Sequence, residues 1–397
     1  MSKEARGTRY EVQDRIPDLH SSRSSLLVPQ SCHVRYFVTG ILFPALFFLH
    51  CSFDPFRTTF DDTEDAVMYE AAEKTSALAS IDTLTIMAWN IKFAGGRIDF
   101  FFDCYGDRTL MTKDEVTDNL DGLVRKINQV NPDILLLEEA DIESKRCAYV
   151  DNIQYILDHT KLNYGAYASQ WKADYVPSDG IGRINSGNVI LSKWKLSDAE
   201  RIALPLQSEQ DALTRYFYLR RNILTARAAV PGQANFRVIC IHADAYSQDG
   251  TKKKHIDRFK AEIDRFDAAG ALVVAGGDLN SLPPGSTMLK DFPDSKCVSE
   301  DFQADDFSEE TEWLVPLYTA YAEAIPLAVY QADQASYFSH TTDKDGFWNR
   351  RLDYIFTNND SGFVTGAGMV HQDIGHGGME TMPLSDHAPI TVRIVLP

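Results

Sequence analysis

The sequence predicts an α/β domain over residues 81–397, and three observations predict it. Strand-like and helix-like patterns alternate from residue 81 onward. The strand-like segments are short continuous apolar runs, the mark of strands buried on both faces. Polar residues recur at the C-terminal ends of those runs.

The elements follow in order. Residues 84–91 (LTIMAWNI) read as a buried strand. Residues 114–130 place Val116, Leu120, Leu123, Val124 and Ile127 on one helical stripe, and Pro132 ends that helix region. A short strand is expected at 134–137, a helix at 148–159, and strands at 186–191 and 236–241. Ile256, Phe259, Ile263 and Phe266 repeat at helical spacing within 251–266, and a strand follows at 271–275. Residues 310–325 read as a helix that Pro316 kinks or splits. Strands at 351–356 and 388–395 close the domain. The acidic stretch 291–310 reads as a solvated insertion, because its Asp/Glu spacing matches no calcium loop.

Composition narrows the class. The chain has 397 residues, 44% of them hydrophobic, enough for one large core. Its formal charge of −18 opposes long-range attraction of nucleic-acid backbones, so nucleic acid is not the favoured partner. The cysteines at 32, 51, 104, 147, 240 and 297 show no paired CxxC spacing, which argues against zinc and a disulfide scaffold. Cys240 reads as a small core residue, and a single bridge such as Cys104–Cys147 stays open for an exported chain.

Ahead of the domain, residues 1–34 form a polar Ser- and Arg-rich leader expected to be disordered. Residues 35–51 hold an Arg-flanked apolar run of about 21 Å at helical rise, short of a hydrocarbon core of about 30 Å. This pattern reads as an export signal or membrane anchor, with Cys51 as a lipidation position, and places the protein at the cell envelope. Residues 52–80 read as a linker.

The polar strand ends carry the chemistry. They are Asn90; Glu138 and Glu139; His242 and Asp244; Asp278 and Asn280; Asp353; and Asp386 with His387. Such groups converge on one edge of a sheet, where open α/β folds place their sites. A lone Asp there caps a turn and a lone His is a satisfied surface residue, but six positions in series leave the bland reading improbable. Of the neighbours Glu138 and Glu139, strand alternation expects only one to face the site.

Six blocks in order, MAWNIKF (87–93), DILLLEEAD (133–141), SGNVILSKW (186–194), CIHADAYSQDG (240–250), GGDLNS (276–281), and RRLDYIF (350–356) with LSDHAPI (384–390), resemble the endonuclease/exonuclease/phosphatase superfamily. The resemblance implies a four-layer α/β sandwich, two facing mixed β-sheets flanked by helices. It implies a divalent-metal-dependent phosphoester hydrolase using Mg²⁺, with Mn²⁺ as a substitute. Glu139 and Asp386 look like the metal carboxylates, with Asn90 beside them. Glu138 stands where the family commonly has Gln. Asp278 and Asn280 look like the pair contacting the nucleophilic water and the phosphoryl oxygens. His387, oriented by Asp353, resembles the catalytic histidine, and His242 the second histidine of the deoxyribonuclease, sphingomyelinase and inositol-phosphatase branches.

The chemistry agrees with those residue types. A hard cation takes oxygen ligands and neutralises an anionic phosphoester. A carboxylate-oriented imidazole such as His387 with Asp353 can take a proton from water near neutral pH. For substrate contact, Arg183, Asn185 and Asn188 are expected to hold a phosphate. Lys252, Lys253 and Lys254 read as a solvated helix start first and a phosphate cradle second. Phe347 and Trp348 read first as local packing. Three classes stay open: an envelope phosphodiesterase or phosphatase on a small or lipid-linked phosphate, a secreted or anchored nuclease, and a binding protein that lost catalysis.

Overall fold

The computed structural model describes residues 54–103, 106–294 and 306–397. The leader and the apolar segment with Cys51 lie outside the described residues, as does Cys104. Two seven-stranded sheets organise the unit that runs from Phe53 to Pro397. The strands are β1 (Thr63–Asp65), β2 (Val67–Glu70), β3 (Thr83–Asn90), β4 (Ile134–Asp141), β5 (Tyr164–Val176), β6 (Gly182–Ser192), β7 (Leu196–Ala203), β8 (Asn222–Ala228), β9 (Phe236–His242), β10 (Leu272–Asp278), β11 (Ala322–Glu323), β12 (Asp353–Thr357), β13 (Met369–Val370) and β14 (Ile390–Val395). One sheet runs β1-β7-β8-β9-β10-β12-β11 and the other β13-β14-β3-β4-β6-β5-β2. The helices are α1 (Lys113–Val130), α2 (Asn152–His159), α3 (Ala212–Phe217), α4 (Thr251–Ala268), α5 (Val315–Ala320) and α6 (Leu327–Ala332).

Side-chain alternation builds the layers. In β3, Leu84, Ile86 and Ala88 enter the core between the sheets, where they meet Val238, Cys240, Val274 and Ile355 of the other sheet. Met87 and Trp89 face the opposite way, against Leu120, Leu123 and Ile127 of α1. On the far side, Ile256, Phe259 and Ile263 of α4 cover Ile239, Ile241, Val273 and Ala275. Both faces of the central strands are therefore apolar, and each fully buried Leu, Ile or Phe contributes about 1.5–3 kcal/mol. The result is the expected helix–sheet–sheet–helix sandwich. Helix α1 starts at a capping box between Thr112 and Glu115, and its last turn closes on Asn131 in a left-handed conformation.

Several expectations need correction. Residues 52–80 are not a linker throughout: β1 pairs with β7 and β2 with β5, an edge of each sheet. Backbone pairing rather than apolar content docks these short polar strands, so composition did not mark them. Strands β5, β7 and β8 carry small and polar residues and were not anticipated. The helix expected over 310–325 is one short helix, α5, with Pro316 in its first turn, followed by strand β11. The described ends of the 291–310 stretch are anchored, not solvated: Asp294 pairs with Arg350 at 2.8 Å, and Phe307 packs on Phe292. Cys147 is a free buried thiol. Among the described residues no helix is long and apolar enough to cross a membrane.

Register sets the functional edge. Parallel pairing puts Asn90 of β3 beside Glu138 of β4. In the facing sheet His242, Asp278 and Asp353 stand in one row across β9, β10 and β12. Gly277, one residue before Asp278, has φ +131°, and a Cβ there would lie 2.1 Å from the Ile241 carbonyl and 2.7 Å from Glu138 Oε1. Gly277→Ala is therefore expected to cost about 3 kcal/mol of stability, read as a lowered urea midpoint at unchanged slope. An unshifted midpoint would refute the close approach.

Candidate active site

The two rows meet at one atom, Asp278 Oδ2. The Asn90 amide donates to it at 3.3 Å and the Asn280 amide at 3.2 Å. His242 Nε2 lies 3.4 Å away and His387 Nε2 3.7 Å away. The other oxygen, Oδ1, accepts from the Asn280 backbone N–H at 2.9 Å. His387 Nδ1 meets Asp353 Oδ2 at 2.9 Å, and that same oxygen accepts from the Ser339 hydroxyl at 2.6 Å. Thus Asp353 orients His387, and Ser339 orients Asp353.

Glu139 corrects the alternation argument. Between Leu137 and Ala140, β4 carries one residue more than its partner β6, a β-bulge, and Glu139 there has φ +57°. The bulge turns both glutamates toward the site edge. Glu139 lies 3.3 Å from the Asn90 amide and 3.9 Å from His242 Nε2. Glu138 is fully buried below it; its Oε1 accepts from the Cys240 thiol at 3.2 Å, and its Oε2 has no partner. Asn280 (φ +49°) and the run Lys92 to Ala94 (φ +43° to +57°) are also left-handed, so non-glycine backbone strain gathers around the same edge.

Burial and charge separate the two histidines. Burial opposes the charged form of His387, but Asp353 and Asp278 outweigh it and push the imidazolium up to about 10. At His242 the Nδ1 faces the Gln170 amide at 3.4 Å in place of a carboxylate. Burial, then the nearby charges of Arg221 and His387, hold it well below the ordinary histidine range. At neutral pH the site holds one charged and one neutral ring. Burial pushes Asp278 up to about 7 although His387 pulls it down. Burial, then the charges of Asp353 and Asp278, keep Glu138 well above the usual carboxylate range. A protonated Glu138 carries a hydrogen where the family commonly has a Gln amide.

The donor set fits a hard divalent cation. Burial, then the charge of Asp386, raise the Glu139 carboxyl above its usual range. Asp386 keeps its own carboxylate ionised, well below the usual range, against burial and through Lys92 and His387. The Asn90 amide nitrogen faces the carboxylates, and its oxygen accepts the Lys92 N–H at 3.1 Å. In this arrangement Asn90 orients Glu139 and Asp278. Asp278, Asp353 and His387 also lie close enough to surround an ion, all within 4.8 Å. Within that group His387 is hydrogen-bonded to Asp353 at 2.9 Å and lies 3.7 Å from Asp278.

Other expected contacts fall elsewhere. Asn188 is fully buried and donates to Asn222 at 3.0 Å, holding the two sheets together. Arg183 is ion-paired to Glu143, and Asn185 accepts from Tyr167 and Ser169. Lys252 is buried against Glu310 at 2.7 Å, whereas Lys253 pairs with Asp257 on the surface of α4. Trp348 packs, donating to Gln372 at 3.3 Å, and Phe347 is exposed.

Sequence reasoning missed Arg221, a buried cation bonded to the Gln170 carbonyl at 3.2 Å, with its Nε unpartnered. Its charge acts on His242, Glu139 and Asp278. Its only sequence signal, RRN at 220–222, looks like surface charge. His340 was missed as well; its ring lies 4.5 Å from that of His387. So was Lys92, which joins Asp103 at 3.0 Å and Asp386 at 3.7 Å.

A profile of the Endonuclease/Exonuclease/phosphatase family matches residues 87–387, from within the Asn90 strand to His387. The chain belongs to this family. Members hydrolyse phosphoester bonds and generally use a divalent metal. The family member from Beutenbergia cavernae shares the fold, with a TM-score of 0.50 and 18% identity over 80% of this chain and 72% of its own. A family protein from Leptotrichia buccalis matches at 0.49 and 14%, over 79% and 100%. TDP2 from D. rerio, solved with a single-strand DNA product, matches at 0.45 and 16%, over 78% and 98%. A search of curated protein sequences finds no match.

Glu138 supplies a test of the electrostatics. Its carboxyl is held protonated, so native stability falls as pH rises above the ordinary range near about 4.3, where the unfolded chain ionises. Gln does not titrate. In EDTA, Glu138→Gln is therefore expected to gain stability relative to wild type between about pH 4.5 and about pH 7.5. Urea melts at the two pH values check this, and a variant that loses ground with rising pH would sink it.

Proposed function

We propose that the chain is a divalent-metal-dependent phosphoester hydrolase acting on a small or lipid-linked phosphate. The observation that carries this is the convergence of two imidazoles and two amides on Asp278 Oδ2, beside the Glu139–Asp386 carboxylates. Asp278, poised at about 7, takes the proton of the attacking water as the water oxygen bonds to phosphorus and the ester P–O bond opposite it breaks, the leaving alcohol oxygen taking its proton from solvent. The charged His387 and the neutral His242, whose Nε2–H is the tautomer that Gln170 favours, donate to the non-bridging oxygens. This assignment moves the base from His387, the sequence expectation, to Asp278. Arg221 and Asn280 supply further donors at the same place. Glu139 and Asp386 would hold a divalent ion, which would supply positive charge against the phosphoryl group.

The choice of a small substrate rests on charge. Several cations around this edge, Arg221 aside, are paired: Arg183 with Glu143, Lys252 with Glu310, Lys253 with Asp257 and Lys92 with Asp103. With a net charge of −18, these pairings leave little to follow a polynucleotide backbone. A nuclease is the second reading, favoured by the second histidine, His242. The apolar segment at 35–51 supports a place at the cell envelope for either.

Extensive chelation is expected to abolish hydrolysis and Mg²⁺ or Mn²⁺ to restore it. The measurement is a panel of plasmid DNA, RNA, sphingomyelin, phosphoinositides and an aryl phosphodiester. Full activity in metal-free protein refutes the metal, and preference for plasmid DNA or RNA refutes the substrate class. His387→Ala and His242→Ala are each expected to lower kcat by at least about 10²-fold, with melting temperatures close to wild type. Near-wild-type kcat in a folded His387→Ala variant would overturn the mechanism.

A further inference from the structure

A second polar cleft lies away from the catalytic edge. It encloses about 240 Å³ between the C-terminal end of α1, strand β14 and the loop over 371–380. Thr85, Gln129, His371, Thr391 and Arg393 supply its polar wall. Arg393 pairs with Thr85 in the sheet, five residues before Asn90, about 16 Å along the strand from the site. Thr85 stands at the position in β3 that alternates with Met87 and Trp89, on the α1 side of the sheet.

The charge around this cleft is unbalanced. Lys126 of α1 is fully buried behind it. Its ammonium donates to Gln129 Oε1 at 3.1 Å and to the Gly377 carbonyl at 2.8 Å. Both partners are neutral, both belong to the cleft wall, and an ammonium has a third hydrogen to give. Among the described residues no carboxylate pairs with Lys126. Burial lowers it only to about 8, so it stays charged at neutral pH. Arg393 adds an exposed guanidinium to the wall, which contains no Asp or Glu although the protein carries 57 of them. His371 is buried in the same wall. Its Nε2 meets the Thr391 hydroxyl at 2.7 Å, and its Nδ1 lies against the Gly377 backbone.

We propose that this cleft binds a small ligand through a phosphate or similar oxyanion group, independently of the catalytic centre. An oxyanion supplies the countercharge that Lys126 and Arg393 lack and takes hydrogens from Gln129 and Thr391. The volume is below that of a drug-sized pocket, which limits the ligand to a free ion or a small phosphate monoester. Occupancy would brace the segment that leads to Asp386 and His387, since Thr381 Oγ1 already bonds the His371 carbonyl at 2.5 Å.

The test uses the full chain in excess EDTA, which disables hydrolysis and metal-assisted capture at the catalytic edge. Calorimetry with inorganic phosphate and, separately, with glycerol 3-phosphate distinguishes the two sources: tighter binding of the first assigns a free ion, of the second a monoester. Saturable binding is expected at millimolar concentration or below. Arg393→Glu, an exposed change that leaves the core intact, is expected to weaken it by about tenfold or more, while Arg221→Ala at the catalytic edge leaves that binding in place. Absence of saturable binding of either ligand, or binding that Arg393→Glu leaves unchanged, overturns the proposal. Because no hydrolysis is read, failure here is separate from failure of the catalytic reading.

Discussion

A carboxylate buried at the seam of two sheets is the constraint on which the rest of this structure depends. Asp278 is almost completely removed from water, and a lone buried carboxylate is costly. Its compensation comes from both sheets: Asn90 from β3, His242 from β9, His387 from the turn into β14, and Asn280 from its own loop. Each donor reaches it only if the strands keep register. Register in turn rests on the alternation that fills the inter-sheet core. Stability of the sandwich and geometry of the site are thus one problem.

The same edge is braced by buried ion pairs outside the reacting groups. Arg351 meets Glu323 at 2.6 Å, Arg146 meets Asp141 at 2.7 Å, and Arg350 meets Asp294 at 2.8 Å. Pairs of this kind add little net stability but fix geometry, because breaking one strands a buried charge. They hold the loops on either side of Asp353 and the segment after the Glu139 bulge. The left-handed residues Glu139 and Asn280 sit inside that frame, where neighbours can hold conformations that a free loop would relax.

Charge also divides the surface by task. The overall negative charge repels polyanions, yet cations stand at two places: Arg221 and the charged His387 at the catalytic edge, and Lys126 and Arg393 at the cleft. All of these but the exposed Arg393 are buried, so their reach is short. That arrangement suits compact anions over extended ones.

Sequence alone determined the sandwich and the order of the site residues. Continuous apolar runs and a helical stripe are local signals, and strand-end polar residues survive any loop arrangement, so Asn90, Glu139, His242, Asp278, Asp353, Asp386 and His387 were all legible. Strands β1 and β2, held by pairing with their neighbours, were not, nor were β5, β7 and β8, whose buried apolar residues are interrupted by polar ones. Only the tertiary structure decided what faces what. A single extra residue in β4 turned both Glu138 and Glu139 to the site, since a bulge cancels the alternation on which a linear reading relies. Asn188, apparently suited to a phosphate, is sealed between sheets, and Arg221, apparently surface charge, is buried beside the reacting groups. Which histidine carries the proton was likewise set by its partner, Asp353 for His387 and the Gln170 amide for His242. Those partners lie 34 and 72 positions away in the chain, and packing alone brings them to the rings.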